Sequence, residues 1–217
     1  MVFTPARDTS RSDGFRDLLE ANYNSNNLVQ LSAGSSVPLL KNSVWLVVRG
    51  MVKLTAISMQ GDELLLGLAG AGEPFGDPLT QVEAYAAVTM AQTDLLCISC
   101  EAISRDSQLA LGLLRAVAQR YRQSEALLAL LGLRRIEERV RGFLELLATS
   151  YGQPCEQGLR LNLKLTHQDI ASALSTTRVT VTRVLVALRE EGWLQIDANR
   201  RLVISFLPQH QPQHQLR

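Results

Sequence analysis

The chain has few of the residues from which enzyme and metal sites are usually built. Among its 217 residues there are only three cysteines and three histidines. His167, His210 and His214 do not form a catalytic set with any cysteine, and the sequence has no phosphate-binding loop, HExxH sequence or nucleophile elbow. We therefore expect no enzyme activity, no resident cofactor and no metal site.

The cysteines do not predict a disulfide framework either. Cys97 and Cys100 have a C-x-x-C spacing, but they end an apolar run, and no second pair or nearby histidine completes a zinc-binding set. Cys155 stands alone further along the chain. We therefore expect neither a disulfide framework nor a metal or redox role for the C-x-x-C pair.

Long apolar runs are missing as well. No segment approaches the roughly 20 apolar residues of a transmembrane helix. The N-terminal sequence MVFTPARDTSRSDG lacks the apolar core of a signal peptide. These absences predict a cytoplasmic protein without a membrane partner, and the 46% hydrophobic content is enough to fill two cores.

Charge is small overall but unevenly distributed. The net charge is +1. Residues 1–133 contain 10 Lys and Arg against 13 Asp and Glu, which gives −3, whereas residues 134–217 contain 12 against 8, which gives +4. A basic C-terminal half favours a nucleic-acid partner for that half.

Residues 165–196 have the pattern of a helix-turn-helix. Thr166 is a candidate N-cap, and Asp169 three residues later completes a pair like a capping box. The first helix is expected to end near Leu174, where hydroxyl residues interrupt the apolar pattern and offer a cap to the next helix. The inner face of the second helix has four apolar residues at helical spacing: Val181, Val184, Leu185 and Leu188.

The second helix exposes arginines near its start, where a recognition helix contacts base edges. Arg178 and Arg183 can hydrogen-bond to guanine O6 and N7, and Val179 can contact a thymine methyl group. Six polar residues near the starts of the two helices are candidate phosphate contacts: Thr166, His167, Gln168, Thr177, Thr180 and Thr182. Ordinary surface helices also carry arginines. The spacing alone therefore does not exclude a function other than DNA binding for these two helices.

Elements on both sides extend the motif to a winged helix. After Gly192, residues 193–196 and 202–206 are apolar runs on either side of a polar turn, a pattern that predicts a two-stranded wing. Before the motif, an amphipathic helix is expected over residues 134–149. The last residues, LPQHQPQHQLR, are rich in Gln, His and Pro and are expected to be disordered.

The N-terminal half alternates short apolar runs with glycine-rich turns. The runs cover residues 45–48, 51–57, 63–68, 85–90 and 95–98. Short strands at such spacing predict a β-sandwich or barrel.

A long helix without proline is predicted over residues 107–131. Its apolar residues at heptad-like steps, Leu113, Val117, Leu127 and Leu131, form a candidate dimer seam that would place two recognition helices roughly 34 Å apart on DNA. Arg120 and Ser124 interrupt this seam. One interpretation is that they form a polar layer that fixes the register, or that the repeat is slightly misphased. The other is that this polar layer closes over an effector bound in the barrel.

The motif residues resemble a known family. TTRVTVTRVL at 176–185 and LRLNLKLTHQDIASAL at 159–174 are similar to the Crp-Fnr family of transcription regulators, and especially to its NtcA-like branch of cyanobacterial nitrogen regulators. VWLVVRGMVKL at 44–54, PFG at 74–76 and AVTMAQTDLL at 87–96 extend the resemblance more thinly from about residue 31 to 206.

This resemblance implies an α+β fold in four parts. They are a jelly-roll (cyclic-nucleotide-binding-like) barrel over residues 1–105, a dimerisation helix and hinge over 106–132, a winged helix-turn-helix over 133–207 and a tail over 208–217. It also implies a homodimer in which Arg178, Val179 and Arg183 contact bases of double-stranded DNA. Val179 stands where cyclic-AMP receptor proteins have glutamate, which favours a GTA…TAC palindrome over a GTGA one.

The resemblance also locates an effector pocket, at Phe75, Gly76, Arg120, Ser124 and Glu125. No Lys or Arg occurs between Pro74 and Cys100, so a cyclic nucleotide would find no cation for its phosphate, which argues against cyclic AMP. Arg120 and Glu125 match a pair that binds 2-oxoglutarate in the nitrogen-regulator branch, but Glu83 aligns near the required loop arginine and would repel a dicarboxylate. An uncharged ligand, or none, remains open.

Two functions of different classes follow. The first is a sequence-specific transcription regulator, which would also contact RNA polymerase if it activates transcription. The second is a small-molecule-binding or protein-interaction module whose winged helix docks a protein partner.

The turn of the helix-turn-helix departs from the family at Ser175, where many relatives have glycine. A serine that must adopt a positive φ costs on the order of 1 kcal/mol.

Overall fold

The computed structural model describes residues 28–205, and the first half of this range forms a β-sandwich. Its strands pair antiparallel in two sheets, ordered β1-β7-β2-β5 and β4-β3-β6. A short 3₁₀ helix, Asp77–Leu79, follows β5. The strands are β1 Leu28–Leu31, β2 Ser43–Arg49, β3 Met51–Ile57, β4 Glu63–Gly70, β5 Pro74–Phe75, β6 Tyr85–Thr89 and β7 Thr93–Ser99.

Alternating residues of both sheets fill the space between them. Val47 of β2, Leu54 of β3 and Leu95 of β7 are fully buried in one apolar cluster, as expected when one face of each antiparallel sheet faces the core. Trp45 joins this cluster, and its indole Nε1 donates to the Pro38 carbonyl oxygen at 2.7 Å. The β part of the expected fold is confirmed.

Two helices follow the sandwich, and each begins at a side-chain cap. The Ser99 hydroxyl caps α1, Cys100–Arg105, by accepting from the Ala102 amide. The Asp106 carboxylate caps α2, Ser107–Leu131, by accepting from two amides of its first turn. The extent of α2 agrees with the long helix expected over residues 107–131.

The C-terminal part is a winged helix with a larger sheet than expected. Its elements are α3 Ile136–Tyr151, β8 Gly152–Cys155, β9 Gly158–Leu161, α4 His167–Ala173, α5 Arg178–Glu190, β10 Leu194–Ile196 and β11 Leu202–Ser205. The strands form one antiparallel sheet in the order β10-β11-β9-β8. The expectation of a two-stranded wing was therefore incomplete, because the β8–β9 hairpin pairs with β11 and doubles the sheet.

The winged helix is packed against the sandwich. Ile170 of α4 and Leu188 of α5 are fully buried in an apolar cluster that also contains Leu65 and Leu68 of β4 and Leu127 of α2. The helix-turn-helix core and one face of the sandwich thus exclude water from each other, which stabilises their relative position.

Some expectations fall on residues 1–27 and 206–217, which lie outside the described range. They are the polar N-terminal segment, the tail over 208–217 with His210 and His214, and the end of the second wing run at Phe206.

Within residues 28–205, no helix has both the length and the apolar character needed to cross a membrane. The same range contains no group of three or more His, Cys, Asp or Glu side chains placed to hold a metal ion.

Candidate nucleic-acid interface

The first helix of the motif begins at a complete capping box. The Asp169 amide donates to the Thr166 hydroxyl at 3.0 Å, and the Thr166 amide donates to Asp169 Oδ2 at 2.9 Å. Two amides that would otherwise have no partner at the start of α4 are satisfied in this way. The sequence expectation for this helix start is confirmed.

The turn between the two helices requires a left-handed residue. Ser175 has φ of 50°, a conformation that glycine adopts without strain. The Thr176 amide donates to the Ala171 carbonyl oxygen at 3.0 Å, which closes the turn. The Thr177 hydroxyl then accepts from the Thr180 amide at 3.1 Å and caps α5. The turn thereby places the start of α5 at the protein surface.

The two faces of α5 differ sharply in exposure. Val181 and Leu188 are fully buried on the inner face. On the outer face Arg178 and Arg183 are exposed, and the Val179 side chain is 78% exposed. Within residues 28–205, neither guanidinium takes part in an ion pair. Two arginines and an apolar side chain therefore face solvent together near the N-terminus of one helix.

The six candidate phosphate contacts lie beside this face and partly bind one another. His167 Nδ1 lies 2.7 Å from the Thr182 hydroxyl oxygen, and that hydroxyl donates to the Arg178 carbonyl oxygen at 2.9 Å. The Thr177 and Thr180 hydroxyls lie 2.9 Å apart. Thr166 and Gln168 are exposed at the start of α4. All six are at or near the surface at the N-terminal ends of α4 and α5.

The wing follows directly on the C-terminal end of α5. In the turn between β10 and β11, Asp197 Oδ1 accepts from the amides of Asn199 and Arg201 at 2.9 and 2.8 Å. An open groove of about 450 Å³ separates the wing from α5, and it is lined by Val186, Arg189, Glu190, Leu194, Gln195 and Ile196. The groove continues the exposed face of the recognition helix toward the wing.

Other arginines of this half have structural roles. The Arg141 guanidinium stacks on the Trp193 ring at 4.6 Å and pairs with Glu191 at 2.6 Å, joining α3 to the end of α5. Arg139 Nε donates to the Leu133 carbonyl oxygen at 2.8 Å. The positive charge of the C-terminal half therefore divides into arginines that hold the domain together and arginines that face solvent.

The residues expected to form an effector pocket lie at the end of β5 and on α2. Phe75 is buried in the sandwich core, and Gly76 lies against the backbone of β2. Arg120 donates to the Gln123 side-chain oxygen at 2.9 Å and also to the Leu68 carbonyl oxygen. Ser124 and Glu125 are exposed on α2. The pocket expectation remains a prediction, and its arginine is engaged in contacts within the chain.

Two of the four residues predicted to form the dimer seam are buried within their own chain. Leu113 and Leu127 are only 8% and 7% exposed and pack within their own chain, because this face of α2 lies on the sandwich and on α3. Val117 and Leu131 are half-buried. The large apolar side chains that α2 leaves exposed are Leu111, Leu114, Tyr121 and Leu128. The last three of these follow one another at intervals of seven residues.

Polar contacts between the halves escaped the sequence analysis. The Tyr151 hydroxyl lies 2.7 Å from Glu73 Oε2 and 3.0 Å from the Leu68 carbonyl oxygen, and it accepts from Gln123 Nε2 at 2.6 Å. Burial, together with the neighbouring Glu73 carboxylate, raises the pKa of Tyr151 well above its ordinary value. Tyr151 therefore stays protonated and ties the end of α3 to the sandwich.

A capped helix-turn-helix with an exposed arginine face, a wing and an attached β-sandwich is typical of the class of DNA-binding transcription regulators. Comparisons with known proteins agree. Residues 138–208 match the Crp-like helix-turn-helix domain. The chain is 34% identical over 162 residues to the global nitrogen regulator of Nostoc sp. PCC 7120, a match that covers 70% of this chain and 73% of that protein.

Two further comparisons extend over most of the chain. The regulatory protein CysR of Synechococcus elongatus is 30% identical over 173 residues, which are 78% of this chain and 80% of that protein. A CRP-family transcriptional regulator of Thermus thermophilus has the same fold, with a TM-score of 0.68 at 23% identity over 82% of this chain and 91% of that one. The chain belongs to the Crp-Fnr family of DNA-binding transcription regulators.

Proposed function

We propose that this regulator binds GTA…TAC-type palindromic DNA as a homodimer, with Arg178, Val179 and Arg183 contacting base edges. The exposed guanidinium groups on the outer face of α5, which form no ion pair with any residue between 28 and 205, carry this proposal. An arginine donates two hydrogen bonds to guanine, and a valine methyl group packs against thymine. The six polar residues at the starts of α4 and α5 would contact phosphates and fix the register of the protein on the duplex. Thr166 and Thr182 would do so by exchanging their hydroxyl hydrogen bonds to Asp169 and to the Arg178 carbonyl oxygen for bonds to phosphate.

The exposed face of α2 supports the proposal of a homodimer. The exposed apolar stripe Leu111, Leu114, Tyr121 and Leu128 has the spacing of a coiled-coil interface. A parallel pair of α2 helices would cover this stripe and present two recognition helices to two half-sites of a palindrome. Leu128→Glu would place a charge within the apolar contact and should yield monomers in light scattering, whereas Ile196→Glu in the wing should leave dimers intact.

A binding measurement with labelled duplexes tests the DNA assignment. Arg183→Ala should weaken binding to a GTA…TAC duplex by roughly 1–3 kcal/mol per half-site and relax the preference at one base pair in each half-site. Arg105→Ala is a matched control, because Arg105 is an exposed arginine of α1 that pairs with Glu101 away from α5. Equal binding of the wild type to scrambled and palindromic duplexes would contradict the proposal and favour a protein-docking role for the winged helix.

Salt and ligand titrations complete the assignment. Because phosphate neutralisation releases counterions, the affinity for DNA should fall steeply with added salt.

For the effector, we propose that neither cyclic AMP nor 2-oxoglutarate binds tightly, since Arg120 is engaged with Leu68 and Gln123. Submillimolar binding of either compound in calorimetry would contradict this. Contact with RNA polymerase would follow if the protein activates transcription, and the cytoplasm is where it would meet chromosomal DNA. No catalytic activity is proposed.

A further inference from the structure

A lysine of the sandwich reaches the first helix of the DNA-binding motif. Lys53 Nζ in β3 lies 2.9 Å from Glu63 Oε1 in β4 and donates to Asp169 Oδ1 in α4 at 3.0 Å. The Lys53 and Asp169 side chains are only 19% and 12% exposed. Burial by itself would lower the pKa of Lys53, but its hydrogen bonds and charge interactions with the two carboxylates raise it above the ordinary value. The ammonium group is therefore charged at neutral pH.

Asp169 uses its two carboxylate oxygens for different purposes. Oδ1 faces Lys53, while Oδ2 accepts from the Thr166 amide and from the Thr166 hydroxyl at 2.6 Å. Thr166 is one of the residues proposed to contact phosphate. A negative charge thus lies one hydrogen bond away from the proposed phosphate site, where it would repel DNA unless a cation neutralises it. Lys53 supplies that cation from the other half of the molecule.

The contact leaves the proposed DNA-binding face open. Leu65 and Leu68 of β4 pack in the same cluster as Ile170 and Ala173 of α4, on the side opposite to solvent. Thr166, Gln168 and the outer face of α5 remain exposed in this arrangement. Docking of α4 on the sandwich therefore does not cover the recognition helix.

From this geometry we propose that Lys53 is a positioning residue for DNA binding that acts through Asp169. It holds the start of α4 against β3 and β4 and neutralises the Asp169 carboxylate beside the proposed phosphate contacts. When the winged helix moves away from the sandwich, Asp169 loses this cation and the start of α4 repels the DNA backbone. The docked arrangement is then the one with higher DNA affinity. This inference rests on the proposed DNA-binding function.

The test uses the full-length protein and fluorescence anisotropy with a GTA…TAC duplex over a range of salt concentrations. Lys53→Met keeps most of the apolar stem but removes the charge, and it should weaken binding about tenfold, equivalent to 1.4 kcal/mol. Lys53→Arg should retain most of the affinity. Glu63→Gln is the matched control, because it removes the other carboxylate partner of Lys53 and leaves the pair with Asp169; it should not weaken binding.

The double variant Lys53→Met with Asp169→Asn distinguishes charge from general damage. The asparagine oxygen can still accept from Thr166 but carries no charge, so affinity should return most of the way toward that of the wild type. If circular dichroism shows that Lys53→Met does not fold, the DNA affinities of Lys53→Arg and of the double variant test the inference instead. Failure of the double variant to bind better than folded Lys53→Met would overturn the inference.

Two other results would also overturn it. Unchanged affinity of Lys53→Met would show that the contact does not influence DNA, and tighter binding would show that the docked arrangement opposes DNA binding. Failure of the proposed function looks different, because the wild type would then not prefer the palindrome and Arg183→Ala would have no effect. Specific wild-type binding that depends on Arg183 but not on Lys53 would contradict this inference alone.

Discussion

His167 Nδ1 lies 2.7 Å from the hydroxyl oxygen of Thr182, so the first turn of α4 is joined to the recognition helix by a direct side-chain contact. The Thr182 hydroxyl donates to the Arg178 carbonyl oxygen, so it accepts from His167 and fixes a proton on Nδ1. The other ring nitrogen, Nε2, then carries a second proton only in the imidazolium form. That form can donate to a DNA phosphate while remaining bound to Thr182.

We therefore predict that His167→Gln weakens binding to all sequences to a similar extent, as expected of a phosphate contact. Anisotropy titrations with palindromic and scrambled duplexes measure this effect. A loss of affinity confined to the palindromic duplex would show that His167 does not contact the phosphate backbone.

The exposed position of Val179 predicts a change of sequence preference. Val179→Glu would place a carboxylate where it can accept from the N4 amino group of cytosine, while the thymine methyl contact is lost. Competition between labelled GTA…TAC and unlabelled GTGA-type duplexes should then shift toward the latter by roughly 1–3 kcal/mol. Val179→Ile, which keeps an apolar side chain, should retain the original preference. A preference unchanged by glutamate would place Val179 outside the base contacts.

The turn residue Ser175 predicts a gain in stability. Its φ of 50° is unfavourable for serine, so Ser175→Gly should raise the free energy of unfolding by about 1 kcal/mol. Ser175→Ala keeps the unfavourable backbone and should not be more stable than the wild type. Urea unfolding of the three proteins measures the difference. Equal stability of the glycine and alanine variants would show that the turn is not strained.

The lowered pKa of Asp169 predicts part of the loss of folding stability at acid pH. Burial would raise the pKa of Asp169, but hydrogen bonds from Thr166 and Lys53 outweigh it and lower the pKa below the ordinary value. A carboxyl group with a depressed pKa contributes stability above its unfolded pKa of about 3.9, and this contribution is lost as the pH falls through the folded value. Asp169→Asn should therefore lose less stability than the wild type between about pH 5 and pH 3. A steeper loss in the variant would contradict this assignment.

Local chemistry made the helix-turn-helix predictable from the sequence. Thr166, Asp169 and Thr177 are capping residues whose partners lie three residues away, and the inner face of α5 follows helical periodicity. The strands of the sandwich were found for a similar reason, since residues such as Val52 and Leu54 alternate along β3.

Contacts between distant segments were not predictable in this way. Leu113 and Leu127 fit a heptad pattern, but the periodicity alone did not show that the sandwich and α3 lie against that face of α2. The hairpin of β8 and β9 has only four residues in each strand and includes Pro154, which leaves little alternation to detect. Lys53 and Asp169 are 116 positions apart, and no spacing rule links them.

Leu68 and Leu127 share one apolar cluster with residues of α3, α4 and α5, and this has a consequence for the integrity of the molecule. Proteolytic cleavage between residues 132 and 135 would leave two fragments, each with leucine side chains newly exposed to water and prone to aggregate. The two halves are coupled through this cluster, and heating should melt both in one cooperative calorimetric transition.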